Sequence, residues 1–361
     1  MGTVPISHFS EKREMGTVPF SHFFLNCKKR RISMLNVLFM GTPDFAEEAL
    51  KSLYEANYNI IGVVTNPDKP KGRGMKMVAS PVKEYAMQKN IKIYQPEKVK
   101  NNIEFIQEIK ELKPDVICVV AYGKILPKEI LDIPKYGCIN VHGSILPKYR
   151  GAAPIQWAIL NGDKTTGVTT MYMDVGMDTG DIILTKETDI GEEETTGELW
   201  NRLSIMGGKL LIETLKKIEN GTATRTKQGE NFSVAPMLNK EIAKIDWKNK
   251  TAHEIHNLVR GLNPIMGAYT FLNNKKLKIW KAKVLTEEQL IPVFPELEEC
   301  FSKLKSIEAG TVLFSNEKKG LFIKANQGII QVLEIQGENA KKMNVSDFLR
   351  GNEISAGQSC I

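Results

Sequence analysis

The sequence predicts an α/β fold: a doubly wound, mostly parallel sheet of the Rossmann-like kind, followed by a small OB-like β-barrel domain. Three observations predict it. Short apolar runs alternate with amphipathic stretches across 34–221, the pattern of a parallel sheet covered on both faces by helices. A polar, aperiodic segment follows at 222–239, and after it come five short strand-like runs separated by turns, as in a small barrel of the oligonucleotide-binding kind. A half-open sandwich satisfies that last pattern almost as well. With 361 residues, 42% hydrophobic and 25% charged, the chain is long enough for two domains and too polar to span a bilayer. Membrane, collagen and wholly disordered classes are excluded.

Residues 1–33 read as an extension outside the fold. MGTVPISHF at 1–9 recurs as MGTVPFSHF at 15–23, and two copies are too few for a solenoid. The apolar run of a secretory signal is missing, because Phe23, Phe24 and Leu25 lead directly into Asn26. Strand signal starts just after Met34, so Met34 is expected to be the natural start. The formal charge of +7 is concentrated here, residues 1–33 holding six Lys/Arg against two Glu. Basicity of the whole chain is therefore weak evidence for nucleic acid. Five cysteines, an odd number, lie too far apart for a CxxC pair, which predicts a reduced, cytoplasmic protein.

Within 34–221 the expected order is strand 35–40, helix 45–56, strand 60–64, then a helix with Ser80 as N-cap and Pro81 at its first position. A short run at Ile91 to Tyr94, a helix at 101–112, and strands at 116–120 and 138–142 come next. Strands 167–173 and 181–190 precede a long helix at 195–219. Segment 222–239 reads as a crossing linker. Domain 240–361 opens with a helix at 251–261, continues with strands 267–272, 277–285, 310–314, 320–325 and 328–336, and carries an acidic insertion at 287–299.

The densest polar group sits at the end of a predicted buried strand: Asn140, His142 and Ser144, then Pro147 and Arg150 to Pro154, with Asp178 downstream. Ligands of open α/β sheets gather outside the carboxyl ends of the strands, and residues i and i+2 of a strand share a face. An amide and an imidazole so placed can both donate to one oxygen, while a carboxylate orients the imidazole or accepts a proton. The trio suits attack on a carbonyl whose oxygen gains charge. The same residues also serve merely to satisfy strand-end backbone groups, with Asp178 a turn carboxylate, and both readings stand at this level. Ser144 and Cys138 lie in no strained nucleophile elbow, so direct transfer is favoured over a covalent intermediate. Metal ligation is not expected, since Asn140 and His142 supply one good ligand; His253 and His256 read as surface residues.

Two basic elements accompany the trio. The loop 66–81 carries Lys69, Lys71, Arg73 and Lys76 against one Asp, with Gly72 and Gly74 flanking Arg73; phosphate is its natural partner, and a solvated loop without partner is the alternative. Its GRG is no dinucleotide fingerprint, because the first strand runs into MGTPDFA rather than GxGxxG. Region 240–283 holds ten Lys/Arg against three acids. Alternate lysines of LKIWKAK are expected on one face, either tracking an RNA backbone or guarding an edge strand.

The stretches VLFMGTPDFA (37–46), NPDKPKGRGMKMVASPVK (66–83), AYGKILP (121–127), INVHGSILPKYRGAAPIQWAI (139–159) and MDVGMDTGDII (173–183) together resemble the methionyl-tRNA formyltransferases. Past the linker the resemblance continues in LVRGLNPIMGAYT (258–270), LKIW (277–280) and QGENAKKM (336–343), so it covers nearly all of 34–350. It implies formyl transfer from 10-formyltetrahydrofolate, as co-substrate and without metal, to the amino group of methionine on initiator tRNA, by a monomer. By motif it implies that Asn140, His142 and Asp178 are catalytic. It further implies that Ser144, Ile145, Leu146 and Pro147 form part of the tetrahydrofolate pocket; Ile145 stands where leucine is usual. Arg73 matches the family's key arginine, in a loop that wedges into the tRNA acceptor end, with Lys69, Lys71 and Lys76 beside it. Formyltransferases acting on glycinamide or amino sugar nucleotides, a formate-releasing hydrolase and an inactive RNA-binding protein are the rival readings.

Overall fold

The computed structural model describes residues 35–71, 74–286, 289 and 306–361. The extension 1–33, Met34, Arg73 and nearly all of the acidic insertion 287–299 lie outside the described residues. The first unit runs β1 (Asn36–Gly41), α1 (Asp44–Glu55), β2 (Asn59–Val64), β3 (Lys69–Lys71), β4 (Lys76–Val78), α2 (Pro81–Gln88), β5 (Ile93–Tyr94), α3 (Ile103–Leu112) and β6 (Val116–Val120). It continues with α4 (Lys128–Leu131), β7 (Cys138–His142), α5 (Pro154–Leu160), β8 (Thr165–Tyr172), β9 (Ile182–Asp189) and α6 (Thr196–Glu219).

Strand β1 shows why the sheet forms. Val37 and Phe39 pack into one apolar layer with α1, α2, α5 and α6, whereas Leu38 and Met40 pack into another with α3 and α4. A strand with apolar residues on both parities can be buried only between two helical layers. The sheet order is β5-β2-β1-β6-β7-β8-β9. Its first five strands are parallel, β8 runs antiparallel to β7, and β9 antiparallel to β8. Consecutive strands leave β1 in opposite directions, toward β2 on one side and β6 on the other, which opens a crevice at the carboxyl ends.

Helix α6 starts where the sequence places it, at Thr195, whose side chain accepts from the Glu198 backbone while the Glu198 side chain returns to Thr195. Its middle is Gly207-Gly208. A Cβ on Gly208 would stand 2.3 Å from the Ser52 hydroxyl and 3.1 Å from the Glu48 carbonyl oxygen, and one on Gly207 would stand 2.9 Å from Val141. These glycines let α6 press against α1 and against β7, the strand that carries the candidate site.

Segment 222–239 is more than a spacer. Thr226 bridges Ile182, Val234 bridges Arg150, and Ala235 is completely buried. The segment crosses the sheet end as an extended strap bonded to the loops it passes.

The second unit comprises α7 (Ala252–Gly261), β10 (Ala268–Leu272), β11 (Lys275–Leu285), β12 (Val312–Asn316), β13 (Gly320–Lys324), β14 (Ile329–Gln336), β15 (Met343–Asn344) and α8 (Val345–Gly351). The strands form one antiparallel sheet in the order β10-β11-β14-β13-β12, with β15 on β14. Leu272 bridges Cys360 and Thr311 bridges Ser359, so the last residues join the two edges. The β10–β11 turn is Asn273-Asn274, both at positive φ, as a two-residue primed turn requires. In β11 the register shifts between Ile279 and Ala282. That irregularity lets Lys281 and Lys283 face outward although they differ in parity from Lys276 and Lys278. The units meet where Thr196 donates to the Gly261 carbonyl at 2.7 Å and the Gly197 N–H to that of Asn263 at 3.1 Å.

Gly208→Leu forces α1 and α6 apart and is expected to lower stability by roughly 1–3 kcal/mol, read from urea denaturation. An unchanged midpoint would show that the helices do not depend on this close approach.

Candidate active site

Asn140 and His142 stand on the same face of β7, at its carboxyl end, as their spacing requires. The imidazole of His142 is 7% exposed, and its Nε2 lies 2.9 Å from the carbonyl oxygen of Tyr149. A carbonyl only accepts, so Nε2 carries the hydrogen and the tautomer is set. Nδ1 is left to face Asp178, whose Oδ2 is 3.7 Å away and whose side chain is 16% exposed. Because Nε2 is committed, the imidazole donates at Nδ1 only when protonated, a condition the sequence pattern does not reveal.

Asp178 reaches this position through a strained turn. Its φ is +54°, left-handed and unusual for a residue other than glycine. The backbone N–H of Gly151 donates to Asp178 Oδ2 at 2.8 Å, fixing the carboxylate. Behind the turn, Gln228 of the strap donates from Nε2 to the carbonyls of Asp178 (2.9 Å) and Gly180 (2.8 Å). Its Oε1 accepts from Nε and NH2 of Arg150, at 2.9 and 2.7 Å. Gly180 is obligatory, since a Cβ there would lie 1.7 Å from the Tyr172 carbonyl oxygen.

The Asn140 Oδ1 is buried without a hydrogen-bond partner. Such a group costs about 1–3 kcal/mol when left unpaired, and buried orphans of this kind gather where a ligand group is to be met. Tyr149, which holds His142 through its carbonyl, is itself held: the Ser233 hydroxyl accepts its N–H at 2.9 Å, and its own hydroxyl donates to Asp163 at 2.9 Å. Burial pushes that phenol up to about 12.

Of the four residues expected at a folate pocket, two face inward. Ser144 is fully buried and donates its hydroxyl to the Lys148 carbonyl at 2.6 Å, and Leu146 is buried with its N–H on Thr169. Their part is to shape the loop, while Ile145 and Pro147 are half-buried and reach its surface. Neither Ser144 nor Cys138 offers a nucleophile; burial pushes the Cys138 thiol up to about 12. Among the described residues no three His, Cys, Asp or Glu side chains gather as metal ligands. His256, expected on the surface, is buried beside Glu193, whose carboxylate lies 3.2 Å from its Nε2; His253 is exposed. The amphipathic pattern of α7 turns His256 inward, against the first unit.

The basic loop is a hairpin, with Lys69 opposite Val78 and Lys71 opposite Lys76. Its base is anchored by Asp68, which accepts from Lys83 at 2.7 Å and from Gln95 at 2.9 Å. Lys83 and then Gln95 hold the Asp68 carboxyl below its ordinary value. Lys69 and Lys76 are exposed, together with Met75 and Met77. Sequence reasoning did not single out Gln228, Tyr149 or Ser233 for the site, and took Gly151 only within the run Arg150 to Pro154; the only signal for Gln228 was its place in a polar run with Arg225 and Lys227.

A family model described as formyl transferase matches residues 35–215, and one described as formyl transferase, C-terminal domain, matches 237–353. The methionyl-tRNA formyltransferase of Clostridioides difficile is 50% identical over 324 residues, which cover 90% of this chain and 99% of that protein. This chain belongs to the methionyl-tRNA formyltransferase family. The enzyme of that name from Ruminiclostridium cellulolyticum is 46% identical over 325 residues, again 90% and 99% of the two chains. Solved structures share the fold at lower identity. The sugar 3N-formyl transferase WlaRD, crystallised in the presence of dTDP and 5-N-formyl-THF, has a TM-score of 0.59 at 23% identity, over 86% of this chain and all of that one. HypX from Aquifex aeolicus in complex with tetrahydrofolic acid has a TM-score of 0.58 at 15% identity; the match covers 91% of this chain and about half, 51%, of HypX.

Proposed function

We propose that this protein transfers the formyl group of 10-formyltetrahydrofolate to the amino group of methionine on initiator tRNA, for translation initiation. The observation that carries the reading is the meeting of Asn140, His142 and Asp178 at one strand end, in a chain that matches this family over both domains. The folate co-substrate supplies the formyl carbon. Ile145 and Pro147 offer it apolar surface beside that strand end, and the unpaired Oδ1 of Asn140, an acceptor, suits an N–H of the incoming amine.

The residues then divide the work. The Asn140 amide and the protonated Nδ1 of His142 hold the oxygen that gains negative charge as the amine attacks. Asp178 balances the imidazolium and receives, through water, the proton that the amine sheds; the bond between the formyl carbon and N10 of the folate then breaks, and N10 leaves with a proton. Because no side chain forms a bond to carbon, the transfer is direct. The β3–β4 hairpin enters the acceptor end of the tRNA, with Arg73, which lies between the two strands in the sequence, as its key residue and Lys69, Lys71 and Lys76 on phosphates. The exposed Met75 and Met77 suit such a wedge, since apolar side chains part base steps. Selection then favours a tRNA whose first pair frays easily. Lys281 and Lys283 of β11 extend the phosphate contact. No helix among the described residues is long and apolar enough to cross a membrane, and the protein acts as a monomer in the cytoplasm.

The deciding experiment offers labelled 10-formyltetrahydrofolate with charged initiator tRNA, charged elongator methionine tRNA and an amino sugar nucleotide; label on initiator tRNA alone is expected. Asn140→Ala is expected to lower the single-turnover rate about a hundredfold to a thousandfold, as loss of one oxyanion donor does. Retention of the full rate would remove Asn140 from the mechanism. Arg73→Ala is expected to weaken transfer to methionyl-tRNA by orders of magnitude with folate binding nearly intact, and equal loss of folate affinity would contradict the wedge.

A further inference from the structure

We infer that the segment joining the two domains is part of the active site, with Gln228 as its positioning residue. A spacer needs length and solubility but no particular side-chain bonds. Gln228 instead uses its whole amide: both Nε2 hydrogens go to the carbonyls of Asp178 and Gly180, and Oε1 takes two donors of Arg150. Four bonds are the full capacity of that group.

The two ends it ties are the two ends of the catalytic frame. On one side is the left-handed Asp178 turn, where a non-glycine residue persists only because its surroundings hold it. On the other is Arg150, flanked by Tyr149, whose carbonyl holds His142 Nε2, and by Gly151, whose N–H holds Asp178 Oδ2. The strap is bonded to the same loop again at 233–235, where Arg150 N–H donates to Ser233 at 2.8 Å and Ala235 N–H to Arg150 at 2.7 Å. Gly151 lies so close that a Cβ there would stand 2.6 Å from the Ala235 carbonyl oxygen. Residues 226–235 therefore fix the separation between Asp178 and His142, although none of them needs to touch substrate. The two catalytic groups sit 3.7 Å apart, and small errors of placement there are costly in rate.

The inference rests on the proposed roles of Asp178 and His142, and the test separates the two. Gln228→Glu keeps the acceptor for Arg150 but replaces the NH2 group, with its two donors, by a single oxygen facing both carbonyls, so it removes only the half of the contact that holds the Asp178 turn. In formylation of methionyl-tRNA, kcat is expected to fall roughly 10- to 100-fold, since misplacing reacting groups by about 1 Å can cost that much in rate. KM for both substrates and the melting temperature should stay close to those of the unaltered protein. Gln228→Ala, measured in parallel, decides by the same criterion if the Glu variant does not fold. Variants that keep kcat within twofold, or that lose activity only through KM for tRNA, overturn the inference and leave the proposed function standing. An unaltered protein that does not formylate methionyl-tRNA overturns both.

Discussion

One hydrogen bond sets what the site can do: the 2.9 Å contact that commits His142 Nε2 to the Tyr149 carbonyl. It turns Nδ1 toward Asp178, and it makes donation at Nδ1 a property of the protonated ring. Everything that shapes the neighbouring loop serves this contact. Tyr149 itself sits at positive φ, held by Ser233 at its N–H and by Asp163 at its hydroxyl. A carboxylate within 3.7 Å of Nδ1 stands ready as a counter-charge for that ring in a place that admits little water.

The sheet supplies the rigidity behind that geometry. β7 lies between β6 and β8, apolar on the face toward α6, where Ile139 and Val141 pack. Its polar residues are confined to the opposite parity at the carboxyl end. Gly207 brings α6 down onto Val141, so the strand bearing Asn140 and His142 is clamped by a long helix and cannot drift. The site is thus built on a fixed element, while the exposed lysines of the hairpin and of the second sheet stand nearer to solvent.

The strap gives the two units a shared responsibility. A chain that crossed between them without side-chain bonds would leave the Asp178 turn to hold itself in a left-handed conformation. Instead, Gln228 and Arg150 brace it from outside the strands. First unit and linker are therefore joined by specific bonds, even though their compositions differ sharply.

Much was legible in the sequence, because periodicity is local. The parity of Asn140 and His142, the Thr195 start of α6, and the five strand runs of the second sheet all follow from side-chain spacing, and the structure places each within a few residues of its expected range. Tertiary structure alone decided the rest. That Asp178 arrives beside His142, that Gln228 backs it and that His256 is buried all depend on hydrogen bonds and packing between segments far apart in the chain. Residues 66–81 likewise pair as a hairpin only because Asp68, Lys83 and Gln95 pin its base. Spacing along a chain determines which face a side chain takes; which partner it finds there is settled by how distant segments cross.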